Sequence, residues 1–342
     1  MKAMVLRGPR DVGFEEVERP RPRSGEVLIR VTHSGVCGTD LKIYDGSIPV
    51  RYPLIMGHEM CGEVVDFGNQ VIRDGRIQVG NRVIVDPCFF CGVCINCRCG
   101  QTNLCRNGGL VGRDSNGGFA DYLLVPQTHV FPLPRAVGSE KAPLLQVLTT
   151  CIHAQRFLNI FPGQSVVVVG LGVTGQLHLQ LAKASGADLV IGVSRSGWKR
   201  QLAKEFGADV TFCSGPEAAQ GILEATDGQG ADVVVVATGS LPTIAEAISM
   251  CRPGATLQLF GITTETEGKL PFYQLYFKEL KMFNSRAATA EDFPVAIDMV
   301  AKGVVKFDAL ITHILPLAEL SSAIEMLATD EDHRMKIIIE HT

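Results

Sequence analysis

Cys91-x2-Cys94-x2-Cys97-x7-Cys105 sets four thiols within fifteen residues, the spacing of a structural zinc site whose tetrahedral coordination is closed. Six of the eleven cysteines crowd between Cys88 and Cys105. Such density in a small secreted domain would read as a disulfide scaffold. In a long chain with no export signal it reads as metal ligation. Cys88 and Cys99 fall outside the ladder and stay unassigned, and an iron–sulfur cluster is the alternative occupant. The ladder speaks of structure, not of catalysis. A second, dispersed set speaks of chemistry: Cys37, His58 and Glu59. Singly, each would more often be a packed cysteine or a satisfied histidine. Together, thiolate, imidazole and carboxylate are the mixed ligands of a catalytic zinc with an open position.

A third feature follows the apolar run Ser165-Val166-Val167-Val168-Val169. It is Gly170-Leu171-Gly172-Val173-Thr174-Gly175, with a helical stretch from Gln176 to Ser185 behind it. Glycines between a strand and a helix permit a tight turn and let the backbone approach a pyrophosphate. The helix N-terminus adds free N–H groups. A dinucleotide is expected here. Its identity is read at the end of the next strand, where a carboxylate would accept the ribose hydroxyls of NAD. This chain has Ser194-Arg195 instead, followed by Lys199 and Arg200. Without a carboxylate to repel a 2′-phosphate, and with Arg195 to hold one, NADP(H) is favoured over NAD(H). The alternative is that Arg195, Lys199 and Arg200 form a solvated basic face.

The elements that must position these groups divide into two textures. Up to residue 145 the chain has short β-like runs bounded by turn residues, among them 1–7, 25–31, 82–85 and 122–125. From Gln146 apolar strands alternate with helical segments; the strands are 165–169, 189–193, 232–237 and 255–260. Such a rhythm means a parallel sheet covered on both faces. After 284 come helices at 291–302 and 317–327 and a last strand at 336–340, which breaks that rhythm. Residues 1–145 and 285–342 are therefore assigned to one domain and 146–284 to the other. The length of 342 residues suits two cores.

Composition excludes other classes. A net charge of -4 argues against a nucleic-acid or anionic-membrane surface. The Cys91–Cys105 ladder holds only Arg98 as a cation, against a zinc-ribbon nucleic-acid binder. No uncharged apolar run reaches the roughly 18 residues of a membrane span. The first residues are too weakly apolar for a signal peptide, and a cytoplasmic location is expected.

Taken together these residues resemble the zinc-dependent medium-chain dehydrogenase/reductase family, in particular its sorbitol and threonine dehydrogenase branch. The most specific piece is Gly57-His58-Glu59-x2-Gly62-x5-Gly68-x2-Val71. The cysteine ladder, the glycine turn, and Gly230-Ala231-Asp232 with Ala237-Thr238-Gly239 add to it. The resemblance implies a Rossmann doubly wound α/β domain, a mostly β GroES-like catalytic domain related to a partly closed barrel, and an active site in the cleft between them. It implies that Cys37 and His58 ligate a catalytic zinc, with Glu59 a direct or exchangeable ligand. The next ligand position is Gln146 here, a neutral amide expected to bind weakly or through water. His153 is expected on a helix face. Thr39 matches the hydroxyl that passes the substrate proton, and Lys42 stands where many members continue that relay to solvent. Thr149 and Thr150 would lie beside the nicotinamide and Lys336 near the pyrophosphate.

The implied activity is hydride transfer between a nicotinamide and an alcohol or carbonyl compound. Secondary alcohol, polyol and amino alcohol all stay open as substrates. A catalytically silent zinc- and NADP(H)-binding protein is the rival from another class; Gln146 and Lys42 are the departures that favour it. By analogy a homotetramer is expected, with a dimer as the alternative.

Overall fold

The computed structural model describes residues 1–72, 75–329 and 333–341. The chain divides into two compact units. One comprises Met1–Thr149, Ala287–Gly303 and Phe307–Thr342, the other Thr150–Arg286 and Val304–Lys306. The division falls within the helix Pro143–Gln155, so Gln146 belongs to the first unit. The change of texture read at Gln146 falls inside that same helix.

The second unit is built on six parallel strands: Ser165–Val169, Leu189–Val193, Val210–Phe212, Ala231–Val236, Cys251–Leu259 and Lys281–Asn284. Their spatial order is third, second, first, fourth, fifth, sixth. Residues 166–169, 190–193 and 233–236 of the central strands are apolar because both faces are covered. Val167, Val169, Ile191 and Val234 pack with Ile222, Ile244 and Ile248 in one cluster. Val166, Val168, Val190 and Val233, the residues of opposite parity, pack with Leu179 and Ala203 in another. The order reverses beside Ser165–Val169, and the crevice at such a reversal is where doubly wound sheets bind nucleotides. The strands Val210–Phe212 and Lys281–Asn284 carry no continuous apolar run. Both lie at sheet edges, where only part of a strand is buried.

The first unit is mostly strand, and its helices are short except where Pro143–Gln155 enters it. Its largest sheet runs Val130–Pro132, Arg82–Val85, Glu59–Phe67, Glu26–Val36, Lys336–Glu340 and Ile311–Pro316, and Tyr122–Pro126 also pairs with Glu26–Val36. The eleven-residue strand Glu26–Val36 is the hub. It pairs antiparallel with Glu59–Phe67, with Tyr122–Pro126 and with Lys336–Glu340, and its last residue delivers the chain to Cys37. Gly35 lies opposite Glu59 and Val36 opposite Ile337. The chemistry-bearing positions are thereby fixed by sheet register.

Asp86 follows the strand Arg82–Val85 and is buried; its Oδ1 accepts the Cys88 N–H at 2.9 Å. Burial, with the Asp292 carboxyl adding to it, raises its pKa from 3.8 to about 7. The folded state therefore holds a proton that the unfolded chain has released. Stability is full below the unfolded pKa and falls as pH rises from about 4 to about 7, by up to roughly 4 kcal/mol at 1.36 kcal/mol per unit. Asp86→Asn should flatten that slope and gain most above pH 7. Urea titrations from pH 4 to pH 8 read this directly, and parallel slopes for both proteins would contradict it.

Candidate functional site

The metal-ligating set is assembled at the hub strand. Cys37 caps the helix Gly38–Tyr44, and its N–H donates to Asp40 Oδ2 at 2.8 Å. Asp40 is fully buried, and its other oxygen lies 3.3 Å from His58 Nδ1. His58 reaches the site through Gly57, whose φ of 96° belongs to the left-handed region that favours glycine. Cys37, His58 and Glu59 each offer a ligand atom, and these lie within 4.8 Å of one another. That fits one ion. With Asp40 at Nδ1, the ring's Nε2 is the nitrogen left for a metal, the arrangement by which a carboxylate orients a ligating histidine. Burial disfavours the imidazolium. Asp40 and Cys37 outweigh it and hold the His58 pKa well above its ordinary value.

Asp40 was not anticipated from the sequence. The signal was there: an acidic side chain at the third helical position behind a capping residue reaches back to the cap's N–H. Asp40→Asn should weaken metal affinity by about 10- to 100-fold, measurable by competition with a chromogenic chelator. Wild-type affinity in that variant would remove Asp40 from the site's support.

Lys336 lies beside Glu59. Only 4% exposed, its ammonium pairs with Glu59, itself 1% exposed, and donates to the Val36 carbonyl at 3.1 Å. A buried ammonium needs a countercharge, and the register of Lys336–Glu340 against Glu26–Val36 brings it to one. A Cβ at Gly35 would overlap Glu59 Oε2 and crowd Lys336 Cε, so the pair occupies the space a side chain would fill. Glu59 thus faces both the ligand set and a fixed cation.

Thr39 and Lys42 lie three residues apart on the helix Gly38–Tyr44, both half-buried and on one side of it. Gln146 is buried on Pro143–Gln155, where its carbonyl accepts the Thr149 hydroxyl at 2.6 Å. That bond engages the fully buried Thr149 locally; Thr150 is half-buried beside it. His153 packs edge-on against Phe157.

The four-cysteine lobe is compact. Cys94 and Cys97 sulfurs are 3.5 Å apart, Cys91 and Cys105 3.5 Å, and Cys94 and Cys105 3.9 Å. A tetrahedron of thiolates at the usual Zn–S length of about 2.3 Å has edges of about 3.8 Å, so zinc fits without rearrangement. Backbone N–H groups of Cys97 and Arg106 lower the Cys94 pKa to about 6, and those of Val93 and Cys94 lower that of Cys91. Cys88 lies in a two-stranded pair with Gly109–Leu110 and Cys99 is exposed; neither joins the four.

In the second unit the glycine turn is tight on one side and open on the other. Gly170 has φ of 93°, and its N–H donates to the Val193 carbonyl at 2.8 Å. Gly175 packs on the Gly170 carbonyl, leaving no room for a side chain. At Gly172 a Cβ would meet nothing within 4 Å, so the backbone there is open to an approaching ligand. The helix Val173–Ala184 begins directly on Gly172, so Val173, Thr174 and Gly175 form its first turn instead of preceding it. Behind the turn, buried Gln176 donates to the carbonyls of Leu171 at 3.3 Å and Lys199 at 2.8 Å. Ser194 is buried and Arg195 exposed. Lys199 lies 5.5 Å from the Trp198 ring, and Arg200 turns back onto the Ser194 and Arg195 carbonyls.

Cys37, His58 and Glu59 on the one hand, and Cys91, Cys94, Cys97 and Cys105 on the other, could each hold a metal ion. Comparison with known proteins supplies the family. Residues 23–135 match the alcohol dehydrogenase GroES-like domain and residues 173–302 the zinc-binding dehydrogenase domain. The sorbitol dehydrogenase of Halalkalibacterium halodurans is 31% identical, over 97% of each chain. A zinc-binding dehydrogenase structure from Sinorhizobium meliloti, bound to NADP, aligns with a TM-score of 0.91 at 31% identity, covering 99% of this chain and 98% of that one. An Escherichia coli alcohol dehydrogenase in complex with NADH aligns with a TM-score of 0.91 at 30% identity, over 99% of each chain. The chain belongs to the zinc-type alcohol dehydrogenases of the medium-chain dehydrogenase/reductase family, and it is an enzyme of their alcohol and polyol dehydrogenase class.

Proposed function

We propose that this enzyme interconverts a secondary alcohol or polyol and its ketone with NADP(H). The observation that carries the reading is the convergence of Cys37, His58 and Glu59 within 4.8 Å in a chain whose second strand of the nucleotide sheet ends in Ser194-Arg195 without a carboxylate. The relatives divide on the cofactor, one structure holding NADP and another NADH; the residues at 194 and 195 tip the choice.

Cys37, His58 and Glu59 would hold the catalytic zinc, with Gln146 bound weakly or through water, and Cys91, Cys94, Cys97 and Cys105 the structural one. Bound there, zinc supplies Lewis acidity toward the substrate oxygen. Alcohol and NADP+ give ketone, NADPH and one proton, so the chain must carry a proton away. Thr39 would accept it by hydrogen bonding and Lys42, one turn on, would pass it outward. In the nucleotide-binding unit the backbone of residues 170–175 would receive the pyrophosphate, Arg195 would meet the 2′-phosphate with Lys199 beside it, and Thr150 would lie beside the nicotinamide. Lys336 would act on Glu59 rather than on the cofactor.

The edge strand Lys281–Asn284 pairs on one side only, and the neighbouring helix Phe272–Phe277 exposes Phe272, Tyr273, Tyr276 and Phe277. An open strand edge beside so much aromatic surface suits a second copy of the chain. A homotetramer built from such pairs is the proposed assembly. Light scattering decides it, and a monomer at micromolar concentration would contradict it. No helix among the described residues is long and apolar enough to cross a membrane; we place the enzyme in the cytoplasm.

Initial rates on secondary alcohols, polyols and threonine, with NADP+ and with NAD+, test the reading. Turnover of a secondary alcohol or polyol at a kcat/KM higher for NADP+ supports it. A preference for NAD+, or for threonine, overturns the corresponding half.

A further inference from the structure

We infer that Arg200 sets the choice of cofactor without touching it, as a positioning residue that clamps the turn carrying Arg195. The inference rests on the NADP(H) reading above and deepens it. A basic residue near the end of the second strand would ordinarily be counted as one more phosphate contact. The geometry of Arg200 points elsewhere. Its Nη1 donates to the Ser194 carbonyl at 2.6 Å and to the Arg195 carbonyl at 2.8 Å. One guanidinium nitrogen therefore bridges two consecutive peptide oxygens from the first turns of the helix Gly197–Glu205.

Two consequences follow from elementary electrostatics. Carbonyl oxygens carry partial negative charge, and two of them beside a dianionic 2′-phosphate would repel it. A cation shared between them reverses that local potential. The clamp also fixes the peptide planes on both sides of Arg195, so the exposed guanidinium projects from a set backbone instead of sampling many. Preorganisation of this kind lowers the entropy lost on binding. The rest of the turn is held to match. The Ser194 N–H donates to the Phe212 carbonyl at 3.1 Å and the Ser196 N–H to Ser194 Oγ at 3.3 Å. The Ser196 hydroxyl has no hydrogen-bond partner among the described residues and stands at the start of the helix. Ser194, Ser196 and Arg195 thus form a recognition turn, and Arg200 is the brace behind it. Lysine could keep the charge at position 200, but its ammonium is one bond nearer the backbone than Nη1 and reaches the two carbonyls less well.

Calorimetric titration with 2′,5′-ADP and with 5′-AMP, which differ only by the 2′-phosphate, tests this on the zinc-loaded enzyme, with no catalysis needed. Wild type should bind 2′,5′-ADP more tightly than 5′-AMP. In Arg200→Gln that preference should fall by about tenfold, as expected for the loss of charge-assisted hydrogen bonds, while 5′-AMP affinity and the melting temperature stay close to wild type. Arg200→Lys should recover only part of the preference. Arg195→Gln should lose it too, and the double variant should lose no more than about the larger single loss, since the two act as one unit. An unchanged ratio in Arg200→Gln overturns the inference and leaves the NADP(H) reading standing. A parallel loss of affinity for both ligands also overturns it, because the residue then only supports the fold. Equal affinity of wild type for the two ligands overturns the cofactor reading, and the inference with it.

Discussion

His58→Ala should lower the zinc content from two ions per chain to one and cut alcohol oxidation by about a thousandfold or more, since a Lewis acid at the reacting oxygen supplies several kcal/mol of charge stabilisation. The two metal groups are separate in sequence and in composition: Cys37, His58 and Glu59 in one, Cys91, Cys94, Cys97 and Cys105 in the other. The substitution empties the first and leaves the second, so the folded protein should persist with its cysteine lobe loaded. Atomic absorption on the purified variant reads the stoichiometry and steady-state kinetics read the rate. Two zinc ions in the variant, or unimpaired turnover, would place the catalytic metal elsewhere.

Lys336→Met carries the second large effect, on stability. Glu59 and Lys336 are both buried and face one another. Removing the ammonium leaves a carboxylate without its countercharge, and breaking a buried pair from one side typically costs about 3–5 kcal/mol. Methionine conserves most of the volume, so a cavity contributes little. The loss should be greatest in the metal-free enzyme, because a bound cation gives Glu59 a second countercharge. Glu59→Gln in the same chain should restore much of the stability, since an amide needs no countercharge. Chemical denaturation of the four proteins of that cycle measures the coupling. A single variant within about 1 kcal/mol of wild type would show the pair to be no more consequential than an exposed one.

What the sequence made legible and what it hid divide along a physical line. Features written in consecutive residues were readable. The apolar run 165–169, the glycine turn behind it and the regular cysteine spacing each state their geometry locally, and the strands at 82–85 and 336–340 fall where their apolar runs put them. Features written in register were not. Lys336 donates to the Val36 carbonyl from 300 residues away, and nothing near either residue announces it. Its neighbours in sequence suggested only a strand. Asp40 stood in plain view three residues from Cys37, yet its second oxygen acquires meaning only when the strand Glu59–Phe67 brings His58 to it. The edge strands Val210–Phe212 and Lys281–Asn284 escaped because a half-exposed strand need not be apolar. Arg200 was expected among the cofactor-binding residues or on a solvated basic face; its direction, back onto two carbonyls, is a property of the fold.

If a zinc ion held by Cys37, His58 and Glu59 makes this chain an alcohol dehydrogenase, its oxidation of alcohols must depend on that ion. NADP+-linked oxidation of a secondary alcohol and polyol panel would be followed before chelation, after it, and after stoichiometric zinc is returned. Activity should disappear with the more labile zinc ion while the thiolate-held one remains, and return when one equivalent is added. Full turnover by the chelated enzyme, or zinc and NADP+ bound with no oxidation of any alcohol, would contradict it.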